Sequence, residues 1–125
     1  MGGPGVIEAL VADGRITPLR SANGGYLFAR LDPIGRVHEL HALYRPEGWG
    51  RETHGALKAA LKVMFLRGAR VITVSEIGGN WRSRPPRSFG FRPAGDFAAT
   101  HGFDIRTWTL TSDAWEASPA HRRSE

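Results

Sequence analysis

The chain of 125 residues contains no cysteine. This absence excludes disulfide bonds, zinc sites built on thiolates and a catalytic cysteine. No apolar run approaches the roughly 20 residues that a membrane-spanning helix needs. The first ten residues, MGGPGVIEAL, also lack the basic start and apolar stretch of a secretion signal. We therefore expect a cytoplasmic protein with no membrane partner.

Acidic residues are fewer than basic ones. The chain has 12 Asp and Glu and 17 Lys and Arg, which gives a formal net charge of +5. Such a balance favours acidic partners, for example nucleotide phosphates, nucleic acid or an anionic protein surface. The apolar share of 41% and the charged share of 23% are those of an ordinary globular domain.

The densest cluster of arginines lies in an arm at residues 81–92, where they alternate with Trp81, Phe89 and Phe91. Three interpretations are open for this arm. Its aromatic side chains pack on the sheet while the arginines face water, or Trp and Arg anchor a partner protein, or the mixture binds nucleic acid.

A length of 125 residues indicates a single domain, and we expect residues 1–5 and 119–125 to be loose ends. Ile7, Leu10 and Val11 share one helical face, so residues 6–14 are predicted to form a short helix. The following segment, ITPLRSANGG, contains turn formers and little periodicity.

Two extended segments, residues 25–31 and 36–44, are predicted to form a β-hairpin. Imperfect alternation between residues 38 and 43 is compatible with a bulge. A helix is predicted at 51–67, followed by a buried strand at 70–77. Strand, helix and strand in this order imply a right-handed crossover, so the last hairpin strand and the strand after the helix should lie parallel.

The start of the predicted helix follows the Pro/Gly-rich loop YRPEGWG, which runs from Tyr44 to Gly50. The first amides of a helix have no carbonyl partner within the helix, and the helix dipole favours negative charge at the same end. Residues 49–54 are therefore a candidate anion site at the edge of the sheet.

The end of the chain alternates in character between residues 105 and 110, which predicts another strand. Ser112 or Asp113 should cap a final helical turn that carries Trp115. We interpret Trp108 and Trp115 as core or lid residues.

The hairpin at 25–44, the helix at 51–67, the strand at 70–77, Asn80 and the pair Gly90-Phe91 together resemble the GNAT superfamily of N-acetyltransferases. The resemblance covers about residues 25–111. It implies an α/β (α+β) fold, with a mixed, mostly antiparallel sheet, one long helix and short flanking helices.

In the GNAT superfamily the strand before the long helix splays from its neighbour. Its backbone and a loop of the form Gln/Arg-x-x-Gly-x-Gly/Ala hold the pantetheine and pyrophosphate of acetyl-CoA. The resemblance thus implies acetyl-CoA as cofactor and an amine as acceptor. The cofactor-binding residues that it implies are Leu43, Arg45, Trp49, Gly50, Arg51, Thr53, His54 and Asn80.

The loop motif aligns in two registers. By letters, Arg45-Pro-Glu-Gly-Trp-Gly is a literal match, but the helix would then be nearly a turn too long. The register set by helix length places Trp49 at the Gln/Arg position, with Glu52 and His54 at the small positions. We adopt the second register.

Glu39 and Glu76 are the candidate general bases, because each is predicted on a strand near the place where an amine would meet the thioester. His38 and His41 are spaced by three, so a strand directs them to opposite faces and a two-histidine metal site is not expected.

A second functional class fits the departures from the family pattern. Pro85–Pro86 occupy the region of the family's tyrosine, which can protonate the leaving thiolate, and Glu52 and His54 replace small residues. Only about 25 residues precede the hairpin, where the family spends some fifty or more. An inactive GNAT-fold assembly protein, of the kind that tailed phages encode, would have protein partners instead of substrates. A nucleic-acid-binding accessory is a third possibility.

Overall fold

The computed structural model describes residues 3–77, 84–94, 98–100 and 103–122. Helices, strands and two short 3-10 turns follow one another in this order: α1 Gly3–Ala12, β1 Ile16–Ser21, β2 Gly24–Arg30, β3 Val37–Tyr44, a 3-10 turn at Pro46–Gly48, α2 Arg51–Leu66, β4 Val71–Ile77, a 3-10 turn at Arg87–Phe89, β5 Arg92–Pro93, β6 Ala98–Thr100, β7 Phe103–Thr111, α3 Ser112–Glu116 and α4 Pro119–Arg122.

A single mixed sheet organises the molecule, with strand order β1-β2-β3-β4-β7-β5 and β6 beside β7. The described strand pairs are antiparallel except β3 with β4, which run parallel and are connected through α2. This confirms the predicted mostly antiparallel sheet with one long helix. It also confirms the parallel crossover predicted from the sequence.

Helix α2 covers one face of the sheet because its apolar residues recur at helical spacing. Leu57, Leu61 and Met64 are buried on one side of the helix. Opposite them lie buried side chains from four strands, namely Phe28, Leu40, Ile72 and Leu110. Full burial of a leucine such as Leu61 stabilises the fold by about 2 kcal/mol, so this contact holds α2 against the sheet.

The two parallel strands separate partway along their length. β3 and β4 are paired only at Val37–Val71, His38–Ile72 and Glu39–Thr73. Beyond that point β3 stays paired with β2 as far as Tyr44, and β4 stays paired with β7 as far as Ile77. The sheet therefore opens between the two strands while both remain ordered by their outer neighbours.

The structure corrects the expected bulge. The register between β2 and β3 runs without interruption from Gly24–Tyr44 to Arg30–His38, so no residue of this pairing is bulged. The mixed polarity of β3 has another cause: His38 and Leu40 are buried under α2, whereas Glu39 and His41 face the other way.

Residues 16–21 form a strand, although the sequence indicated turns there. β1 is the edge strand of the sheet, and Pro18 pairs across from Leu27. A proline lacks the N–H that an inner strand would need, but an edge strand can leave that position unpaired. The position at the edge, which local sequence does not report, explains the missed strand.

Both expected loose ends are partly helical. α1 begins at Gly3, and Pro119–Arg122 form α4 with Ala120 buried. The cap of α3 also differs from the prediction, since the Oγ1 of Thr111 accepts a hydrogen bond of 3.1 Å from the amide of Ala114. Within the described ranges, no helix has the length and hydropathy to cross a lipid bilayer.

Candidate functional site

A cavity of about 640 Å³ lies where β3 and β4 separate. The first turn of α2 closes one side of it, and the segment at residues 84–86 closes another. The side chains and backbone that line it are Tyr26, Glu39, Leu40, His41, Ala42, Trp49, Gly50, Thr53, His54, Leu57, Val74, Ser75, Ile77, Arg84, Pro85 and Pro86. Apolar groups dominate this lining, with a few polar groups at defined places, as in small-molecule sites.

The N-terminus of α2 faces this cavity. Gly50 is its N-cap, with a φ of 113° that an L side chain would adopt only under strain. The amide of Gly50 donates to Oγ1 of Thr53 at 3.0 Å, and the first helical hydrogen bond runs from the amide of His54 to the carbonyl of Gly50. The amides of Arg51, Glu52 and Thr53 therefore precede the helical ladder and carry the positive end of its dipole.

The Glu52 carboxylate is held by the turn between β1 and β2. Its Oε2 accepts hydrogen bonds from the hydroxyl of Ser21 at 2.8 Å and from the amide of Asn23 at 2.9 Å. Its Oε1 accepts from the side chain of Asn23 at 2.7 Å. The backbone and side-chain hydrogen bonds from Asn23 and Ser21 lower the pKa of Glu52. The negative charge of Glu52, which would repel a phosphate at the start of α2, is thus held at the turn between β1 and β2.

Glu39 and His41 are in direct contact in the wall of the cavity. The Nε2 of His41 lies 2.7 Å from Oε1 of Glu39, and their side chains are 50% and 39% exposed, respectively. Successive side chains alternate across a strand, so residues 39 and 41 share one face of β3. Glu39 belongs to the last residue pair before the strands separate, which places the carboxylate beside the opening.

Glu76 is in a different setting, because its side chain is 8% exposed and both carboxylate oxygens are occupied. Its Oε2 accepts from Nε and Nη2 of Arg84, each at 2.9 Å, and its Oε1 accepts from Nε1 of Trp108 at 2.8 Å. Burial raises the pKa of the Glu76 carboxyl, but hydrogen bonds from Arg84 and Trp108 and the charges of Arg84 and Arg106 leave it below its ordinary value. Glu76 fixes the segment that walls the cavity and does not itself line it.

The remaining implied cofactor residues are divided between two regions. Trp49, Gly50, Thr53 and His54 line the cavity. The other described members are Leu43, Arg45 and Arg51, all exposed outside that lining; Asn80 lies outside the described residues.

Leu43 borders a second cavity, of about 760 Å³, under α1. This space lies against β1 and β2 on the side of the sheet opposite α2, where Val11, Ile16, Pro18 and Leu27 also border it. This second cavity differs from the first, because the start of α2 does not line it.

Sequence reasoning did not select three residues that shape the first cavity. Tyr26 lines it and donates from its hydroxyl to the carbonyl of Thr53 at 3.2 Å, and burial raises its pKa, with Tyr44 adding to the effect. His41 and Arg84 are the other two. The spacing of His41 two residues after Glu39 was the available signal, because strand geometry alone places both on one face.

The arm rich in arginine and aromatic residues contributes to the core. Phe89 is fully buried and Phe91 nearly so, and the ring of Phe89 lies 4.9 Å from that of His54 and 5.8 Å from that of Trp115. For these two phenylalanines the packing interpretation is therefore confirmed. Trp81 and Arg82 lie outside the described residues.

Comparison with solved structures identifies the fold. RimJ of Mycobacterium smegmatis, solved in complex with CoA-disulfide, superposes with a TM-score of 0.78 at 18% identity over 96% of this chain and 64% of that one. Spermidine N-acetyltransferase of Vibrio cholerae, solved with CoA and spermine, gives a TM-score of 0.69 at 14% identity over 89% and 74%, respectively. The fold is that of the GNAT acetyltransferases.

A protein from Desulfovibrio desulfuricans assigned to the GNAT family gives a TM-score of 0.61 at 15% identity over 86% of this chain and 77% of that one. No family model matches the sequence, and no curated protein matches it. At these identities the likeness establishes the GNAT fold alone. The chain spans about two thirds of the length of the RimJ structure.

Proposed function

We propose that this chain is an N-acyltransferase that transfers an acetyl group from acetyl-CoA to an amine. The observation that carries the proposal is the separation of β3 from β4 after Glu39–Thr73, with a cavity of about 640 Å³ opening there beside the first turn of α2. An extended pantetheine arm needs such a gap, since unpaired strand backbone offers it hydrogen bonds. RimJ and spermidine N-acetyltransferase, which share the fold, were solved with CoA species.

The residues present suit the phosphates of acetyl-CoA. The amides of Arg51, Glu52 and Thr53 precede the helical ladder of α2, and Ser21 and Asn23 hold the Glu52 carboxylate aside. Acetyl-CoA supplies an activated thioester. The chain's part is to orient that thioester in the cavity and to remove a proton from the acceptor amine.

We assign deprotonation to the part of β3 that carries Glu39, and not to Glu76. Glu39 lines the cavity, whereas Glu76 is buried and saturated by Arg84 and Trp108. A carboxylate that already accepts three hydrogen bonds has little capacity for an incoming ammonium. Glu76 is instead assigned to holding the cavity wall.

Calorimetric titration with acetyl-CoA and with CoA tests the proposal, together with release of the CoA thiol when spermidine or a short peptide with an unblocked N-terminus is added. We expect saturable binding and amine-dependent thiol release. A control variant, Glu116→Gln, changes an exposed carboxylate on α3 away from the cavity and should behave as the unmodified protein. Absence of binding at millimolar acetyl-CoA would contradict the proposal.

A second candidate is an assembly protein with the same fold and no catalytic activity, for example a subunit of a phage particle. The observation that favours it is exposed apolar surface: Ile34 is 69% exposed, and Leu31, Leu43 and Leu66 are also exposed. Such side chains mark association surfaces when they cluster. Light scattering after size exclusion, across a range of concentrations, separates a stable assembly from a monomer that acetylates amines.

A further inference from the structure

The carboxylate at the opening between β3 and β4 is one half of a pair with a histidine. The Nε2 of His41 approaches Oε1 of Glu39 to 2.7 Å, and both residues line the cavity. In a neutral imidazole one ring nitrogen carries the proton and the other is the basic site. A hydrogen bond from Nε2–H to Glu39 therefore leaves Nδ1 of His41 as the basic nitrogen.

The pair is accessible, unlike the other carboxylate of the site. The side chains of His41 and Glu39 are 50% and 39% exposed, while the side chain of Glu76 is 8% exposed and saturated by Arg84 and Trp108. An acceptor amine that enters the cavity can thus reach the imidazole. It cannot reach the carboxylate of Glu76 without displacing its partners.

We propose that His41 is the general base of the acyl transfer, and that Glu39 is its positioning residue. The inference rests on the proposed acetyltransferase function and names the group that takes the proton from the acceptor amine. Imidazole is the side chain whose unperturbed pKa lies nearest to neutral pH, which suits a general base better than an exposed carboxylate does. A carboxylate beside the other ring nitrogen fixes the tautomer and stabilises the imidazolium that forms.

Nδ1 of His41 takes one proton from the acceptor ammonium, and the positive charge moves from the amine to the imidazolium beside Glu39. The amine lone pair then forms a C–N bond to the thioester carbonyl carbon, and the C–S bond breaks. The departing CoA thiolate takes up the proton of the imidazolium, which returns His41 to its neutral form. The second proton of the attacking amine passes to solvent.

The other titratable groups in the described lining of the cavity are Tyr26, His54 and Arg84. Tyr26 donates to the carbonyl of Thr53, and Arg84 is bound to Glu76. The ring of His54 packs on Phe89 at the helix start.

The experiment compares turnover of the unmodified protein with that of His41→Ala, using acetyl-CoA and whichever of spermidine or the peptide gives the faster thiol release. We expect kcat to fall by about a hundredfold, the usual contribution of a general base, while the affinity for CoA stays within a factor of about three. Added imidazole should restore part of kcat in His41→Ala, because a small base can enter the vacated space. His121→Gln, on α4 away from the cavity, is the matched histidine control.

Each outcome has one meaning. Loss of kcat with rescue by imidazole supports His41 as the base. A kcat in His41→Ala within about threefold of the unmodified protein, or a loss that imidazole does not relieve, overturns the assignment while acetyl transfer stands. If the unmodified protein binds no acetyl-CoA or acetylates neither amine, the proposed function itself fails, and the proposal for His41 fails with it.

Discussion

Strands β3 and β4 each carry a glutamate, and the two carboxylates have opposite environments. Glu39 is half-exposed and contacts His41, whereas Glu76 is buried and accepts three hydrogen bonds from Arg84 and Trp108. The same residue type thus lines the cavity on one strand and holds a structural cluster on the other. The difference comes from the neighbours of each carboxylate, since Arg84 and Trp108 bind Glu76 while the side chain of Glu39 stays partly exposed to solvent.

Replacement of Glu39 by Gln should have the largest effect on turnover. Because Gln cannot stabilise the imidazolium of His41, we expect kcat to fall by about a hundredfold, while the unfolding midpoint is unchanged for this half-exposed position. Steady-state kinetics and urea unfolding measure the two quantities. Equal kcat values for Glu39→Gln and the unmodified protein would show that Glu39 and Glu76 do not differ in their importance for turnover.

Replacement of Glu76 by Ala, in contrast to that of Glu39, should act on stability. It leaves Nε1 of Trp108 without its acceptor and frees the segment at Arg84, so we expect a loss of about 2 kcal/mol in the free energy of unfolding. The cost stays moderate because the Arg84 side chain is 63% exposed and remains hydrated. Trp108→Phe, which removes one hydrogen bond, should cost about 1 kcal/mol. A Glu76→Ala protein as stable as its parent would show that this cluster is not structural.

Release of Glu52 from the β1–β2 turn should weaken CoA binding. In Asn23→Ala the carboxylate loses the hydrogen bond that the Asn23 side chain donates to its Oε1, and it can move toward the helix start, where it competes with phosphate. We expect affinity to fall by about two- to fivefold, the effect of one charge at a helix terminus. Calorimetry with CoA measures it, and Glu52→Gln in the same background should restore affinity. Unchanged affinity in Asn23→Ala would show that the turn does not shield the site.

The smallest predicted effect concerns acid stability, through the buried His38 on the face of β3 opposite Glu39. Burial lowers the pKa of His38, and Arg30 acts in the same direction while Asp32 opposes both. In the unfolded chain His38 therefore takes up a proton near pH 6.5, whereas in the folded chain it does so only at lower pH. The free energy of unfolding that depends on neutral His38 is lost as the pH falls from about 6.5 through the lower pKa of the folded state.

Thermal unfolding between pH 8 and pH 5 measures this dependence. His38→Gln should flatten the decline of the melting temperature on the acid side, whatever its effect on the absolute value. The Nδ1 of His38 has no hydrogen-bond partner among the described residues, which is the reason protonation inside the fold is unfavourable. Parallel curves for the two proteins would assign the decline to other groups.

The prediction of the fold from sequence succeeded where the signal was local. The apolar stripe of α2 and the β-branched run of β4 follow from periodicity over a few residues, and their order implies the parallel crossover. β1 was missed because Pro18 is a poor strand residue everywhere except at a sheet edge, and edge position is a property of the assembled sheet.

The candidate site was predictable only in outline. Sequence placed the helix start and two glutamates near one another, but hydrogen bonds between residues about 30 positions apart decide what each carboxylate does. Glu52 reaches Asn23 across 29 residues, and Glu76 reaches Trp108 across 32. No local pattern reports such partners.

By itself, the sequence determined the succession of β2, β3, α2 and β4 and the turn where α2 begins, because backbone preferences and hydrophobic periodicity act between close neighbours along the chain. The tertiary structure alone decided that Glu39 opens onto the cavity with His41, that Glu76 is sealed, and that Glu52 is turned toward the β1–β2 turn. The physical reason is that burial and hydrogen bonding depend on groups brought together from distant parts of the chain.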